Sequence, residues 1–69
     1  MMGAFDTLAR LGVRVFETIG LDVDVVYEHA SRGQPGRGFI RADLSAEDRL
    51  LAAEWLLSAA LDDLLPGHP

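Results

Sequence analysis

Residues able to do chemistry are few and dispersed in this chain. Arg32, Arg37 and Arg41 lie in or beside SRGQPGRG at 31–38, a stretch with three glycines and one proline. Backbone amides in glycine-rich turns, together with the planar forks of arginine, can hold a phosphate or a carboxylate. The stretch lacks the Lys-Ser/Thr ending of a phosphate-binding loop and opens no helix. The plainer expectation is a solvated hairpin tip, or an arm that reaches a protein partner.

A second constellation is acidic. Between Leu21 and Ala30 the apolar period is two, which places Asp22, Asp24 and Glu28 on one strand face and His29 on the other. Carboxylates and imidazole are metal ligands, but the chain has no cysteine and His29 points away from the acids. A solvated acidic face is expected, with no metal and no cofactor. The hydroxyls available as nucleophiles are Thr7, Thr18, Ser31, Ser45 and Ser58, besides Tyr27. Ser31 is near His29 in sequence, but no third group is placed to orient the pair. Catalysis is therefore not expected.

The elements that would position these residues follow from periodicity. Ala4, Phe5, Leu8, Leu11, Gly12, Val15, Phe16 and Ile19 fall within an arc of about 140° on a helical wheel. This predicts a helix over 3–19, with Gly20 ending it. Val13 alone disturbs the stripe. A strand is predicted over 21–30, the Gly/Arg loop over 31–38, and a second strand over 39–43. Arg41 is then able to pair with Asp22, Asp24 or Glu28 across the hairpin. A long helix is predicted over 45–65, with Ser45 as N-cap and Pro66-Gly67 as its stop, followed by a tail at 66–69 that carries His68. The fold class is α+β: an N-terminal helix, a two-stranded antiparallel hairpin and a long C-terminal helix (αββα), completed by oligomerisation.

That last helix carries more apolar surface than one face requires. Ala46, Leu50, Ala53, Leu57, Ala60 and Leu64 form a heptad-like seam, expected to be core together with Phe16. Leu51, Trp55, Leu56 and Ala59 lie on other sides and are expected to form an interface. The polar strip of Glu47, Glu54, Ser58 and Asp62 is narrow. At 69 residues, burial and chain ordering nearly cancel, and no disulfide can help. The remaining routes to stability are a bound ion, tight packing or association with another chain. The sequence thus points to a non-enzymatic interaction protein whose partner is itself, as a homodimer or higher oligomer, or a larger assembly.

Charge shapes the alternatives. The formal net charge is −5, which disfavours general nucleic-acid binding, since that rests on neutralising phosphates. An acidic inhibitor or immunity-type protein that meets a basic surface is the second reading. Anion or nucleic-acid contact through the Gly/Arg loop is the third. All six basic residues are arginine, as GC-rich codon usage would produce, so a bacterial or phage source is expected. No apolar run reaches membrane-spanning length and no secretory leader is evident, so a cytoplasmic location is expected.

Overall fold

A computed structural model describes residues 3–65 of the chain. The tail at 66–69, with Pro66, Gly67 and His68, lies outside the described residues. The element order is α1 (Ala4–Arg10), β1 (Arg14–Thr18), β2 (Val25–Glu28), β3 (Arg37–Arg41) and α2 (Ala46–Leu64). The fold is α+β, as expected, but the sheet has three strands rather than two. β3 lies in the middle, parallel to β1 and antiparallel to β2.

The additional strand replaces the second half of the predicted helix at 3–19. The chain leaves α1 at Gly12, whose φ of +82° is a left-handed value that suits glycine. Gly12 N–H donates to Ala9 O at 3.1 Å and Val13 N–H to Leu8 O at 3.0 Å. These two bonds form a Schellman motif, with Val13 and Leu8 as its buried apolar pair. Beyond it, Val13, Val15 and Glu17 point toward the helices, and Arg14, Phe16 and Thr18 point away. Val15 and Ile19 continue the helical period of Leu8 and Leu11 by coincidence. Val13, the residue that disturbed that stripe, belongs to the strand pattern.

The hairpin is also revised. Residues 21–24 bend before β2, so the predicted strand at 21–30 shortens to Val25–Glu28. The predicted loop at 31–38 tightens around Arg32 and Gly33, which have φ of +48° and +78°. Ser31 and Gln34 exchange backbone hydrogen bonds of 3.1 and 2.8 Å across this turn. Two central residues at positive φ are what a type I′ hairpin turn requires. β3 accordingly begins at Arg37, two residues earlier than predicted.

Both helices cover one face of the sheet, α1 against β1 and α2 against β2 and β3, and they also pack on each other. The molecule is a thin slab of 35 × 30 × 17 Å. Leu8, Val13, Ile40, Ala52, Leu56 and Ala60 form the core, with Phe5, Leu11, Val15, Val25, Tyr27, Leu44 and Leu57 against it. α2 begins as expected, with Ser45 Oγ accepting from Asp48 N–H at 3.1 Å. Its buried line, however, runs through Ala52, Ala53, Leu56 and Ala60, rotated by about 60° from the predicted seam. Leu50 and Leu64 are exposed, as is Phe16, and Leu57 is half-buried; of the predicted seam, Ala53 and Ala60 are buried. The reason is Gly38 on β3. A Cβ there would stand 2.6 Å from Leu56 Cδ1, so Leu56 lies on bare strand backbone. The alanines beside it let the helix descend, whereas leucines would hold it off.

Two substitutions test this arrangement. Gly38→Ala forces Leu56 to move and is expected to cost about 1–3 kcal/mol, read as a lower denaturation midpoint. Gly12→Ala is expected to destabilise by about 1–2 kcal/mol because its φ is positive. A continuous helix at that position would instead be stabilised by about 1 kcal/mol on the same change. The sign of the shift in chemical denaturation separates the two.

Candidate functional site

Three surfaces bear on function, and the first two hold the residues singled out in the sequence. The first is the outside of α2. Leu51 and Trp55 are 56% and 52% exposed, and Ala59 beside them is half-buried. Spaced four residues apart, they form one line along the helix. Leu56 does not belong to this surface: it is fully buried against Gly38, and the expectation of an interface role for it is corrected. A groove of about 270 Å³ runs beside the line, between α2 and the β2 edge, lined by Tyr27, His29, Trp55, Ala59, Asp62 and Asp63. On the other flank of α2, Leu50, Leu61 and Leu64 are exposed. Glu47, Glu54 and Ser58 separate the two apolar flanks, as the narrow polar strip implied.

The second surface is the sheet face that neither helix covers. The strand register sets it out in three rows. Arg14, Arg37 and Glu28 make one end. Phe16, Phe39 and Val26 make the middle, with Phe16 and Phe39 stacked at 5.5 Å between ring centroids. Thr18 and Arg41 make the other end, with Asp24 beside them. The three arginines expected to act together are therefore dispersed. Arg32 sits at the tip of the hairpin turn, while Arg37 and Arg41 occupy opposite ends of β3. Nor do Asp22, Asp24 and Glu28 form an acidic face. Glu28 Oε1 accepts from Arg37 Nε at 2.7 Å and also from Nη2. Arg41 lies 3.2 Å from Asp24 and 2.6 Å from Asp43. Asp22 stays exposed in the bend before β2. Arg41 thus pairs with one of its three predicted partners. Among the described residues no three His, Asp or Glu side chains gather to hold a metal ion.

The third surface went unrecognised in the sequence. Asp63, in the last turn of α2, opposes the helix dipole, which disfavours acid there. Its carboxylate is instead held from the sheet side. It accepts from Ala30 N–H at 2.9 Å and from Tyr27 Oη at 2.9 Å, with His29 Nδ1 at 3.4 Å. The Ala30 amide, followed by Tyr27 and His29, holds the Asp63 carboxyl below the ordinary value of 3.8. Burial, the hydrogen bond to Asp63 and the charge of that carboxylate push Tyr27 up to about 12. This cluster fastens the end of α2 to the end of β2. The signal in the sequence was an acid at a helix C-terminus with no cation near it in the chain. Arg49 has a similar bracing role, with Nε 3.1 Å from Glu17 on β1 and its guanidinium 5.1 Å above the Phe5 ring of α1.

A carboxyl depressed in the fold stabilises it above the unfolded value, and the gain is lost as pH falls through the folded value. Asp63→Asn is expected to lower the denaturation midpoint near neutral pH. Wild-type and variant curves are expected to converge well below pH 3.8, where Asp63 is protonated in both states. A difference that stays constant with pH would show that the carboxylate charge has no part in the latch.

No helix among the described residues is long and apolar enough to cross a membrane. No protein-family model, curated protein or solved structure matches the chain.

Proposed function

We propose that this protein is a non-enzymatic assembly subunit that associates with a second copy of itself through Leu51, Trp55 and Ala59 on α2. The observation that carries this reading is the apolar surface left on α2 after its own core is filled, with Trp55 half-exposed in the middle of the helix. Exposed aromatic anchors flanked by aliphatic side chains are typical of interface centres. The spacing adds symmetry. If two α2 helices pair antiparallel about a two-fold axis at Trp55, each Leu51 meets the other copy's Ala59, large against small. A two-fold contact needs such self-complementarity. The groove between α2 and β2 gives the indole a place to lodge. The polar cluster beside it supports a structural role, since Asp63 is already engaged by Ala30, Tyr27 and His29.

A second reading rests on charge. α2 carries Glu47, Asp48, Glu54, Asp62 and Asp63 against Arg49 alone, which is most of the chain's net −5. An acidic, partly apolar helix also suits a basic partner protein, as an inhibitor or immunity-type protein would meet. Salt distinguishes the two. Pairing of acidic helices is strengthened when salt screens their repulsion, whereas attraction to a basic partner is weakened by it.

Sedimentation equilibrium tests the proposal. Wild type is expected to be a concentration-dependent dimer that tightens as salt is added. Trp55→Ala is expected to weaken it by about 30-fold or more, the effect of a central anchor worth about 2 kcal/mol. A wild-type chain that stays monomeric at every concentration and salt level would sink it.

A further inference from the structure

Parallel, in-register pairing makes Arg14 and Arg37 direct partners on the uncovered sheet face. Like charges opposite one another on one face of a sheet repel. Glu28 is the β2 partner of Arg37 and is hydrogen-bonded to it. Arg14 lies within ion-pair distance of no carboxylate among the described residues. Two guanidinium groups therefore share one counter-charge. They stand at the wall of a cleft of about 420 Å³, between the strand ends and the hairpin turn, which His29, Ser31 and Gln34 also line. In a chain of net charge −5, arginine outnumbers carboxylate in this cleft.

Arginine forks match tetrahedral oxyanions, whose oxygens accept two parallel N–H bonds from each fork. Ser31 and Gln34, which also line the cleft, carry a hydroxyl and an amide able to donate further hydrogen bonds. A dianion would neutralise Arg14 and the share of Arg37 that Glu28 leaves over, whereas a chloride ion would offer one charge and no geometry. We propose that the cleft between Arg14 and Arg37 binds a phosphate-class oxyanion, either free phosphate or the phosphate group of a small ester. The ligand bridges the two arginines and relieves their repulsion. Glu28 competes with it for Arg37 and so limits its affinity. The cleft includes none of Leu51, Trp55 and Ala59, although His29 lines both it and the groove beside α2, and phosphate binding does not depend on self-association.

The test is calorimetric titration of the full chain with inorganic phosphate, and separately with glycerol phosphate, against chloride at matched ionic strength. Both phosphate probes, or one of them, are expected to bind where chloride does not, and the stronger of the two identifies the free or the esterified form. Arg14→Gln is expected to weaken binding about tenfold, the effect of losing one charge-assisted contact. Glu28→Gln is expected to tighten it, because the competing carboxylate is gone. Arg14, Glu28 and Arg37 are all exposed, so the variants retain the core. Phosphate is also expected to raise the thermal midpoint of wild type more than that of Arg14→Gln at the same concentration. Heats no larger than those of chloride, an Arg14→Gln variant that binds as wild type does, or weaker binding by Glu28→Gln would each overturn the proposal.

Discussion

Leu56 rests on the bare backbone of Gly38, and the placement of the long helix follows from that contact. A helix can lie this close to a strand only where the strand lacks a side chain and the helix is small around its contact residue. Ala52, Ala53 and Ala60 meet the second condition. The choice of contact line then decides what remains outside. With alanines turned inward, most of the bulky side chains of α2 turn outward, including Leu50, Leu51, Trp55, Leu61 and Leu64. The core is compact and small, and the surplus apolar surface is a direct result of how it is packed.

The slab is therefore unequal on its two sides. One sheet face is sealed by both helices, and the other bears only a central apolar row between rows of charge. On that open face each acid has an arginine across the strands, Glu28 with Arg37 and Asp24 with Arg41. Exposed pairs of this kind contribute little to stability, but they favour one strand register over its neighbours. They also dissolve the acidic face that alternation along a single strand would suggest. Arg14, on the same face, stands outside this cross-strand pattern: no carboxylate among the described residues lies within ion-pair distance of it.

The helix ends show a similar division of labour. Ser45 closes the first turn of α2 locally, through its own hydroxyl and the amide of Asp48. The last turn is fastened at a distance, through Asp63, to a tyrosine and an amide more than thirty residues earlier. Local capping can be recognised from four consecutive residues. The distant latch is invisible until β2 is brought beside the helix, since along α2 alone Asp63 opposes the dipole.

Several features were set by the sequence alone: the α+β class, the long C-terminal helix with its serine cap, the existence of the Val25–Arg41 hairpin, and the excess of apolar surface on α2. Each depends on a short-range pattern, such as a period, a cap or a cluster of turn residues, that operates within a few residues of chain. Leu51 and Trp55 are exposed, whereas Leu56, which the same pattern grouped with them, is buried. The tertiary structure decided the rest. Whether residues 14–18 became helix or strand depended on β3 being available as a parallel partner, since Leu11, Val15 and Ile19, four residues apart, suit either period. Which stripe of α2 faced inward depended on Gly38, a residue on another element. Arg14 and Arg37 came together for the same reason: parallel pairing joins positions 23 residues apart, and no local spacing encodes that distance.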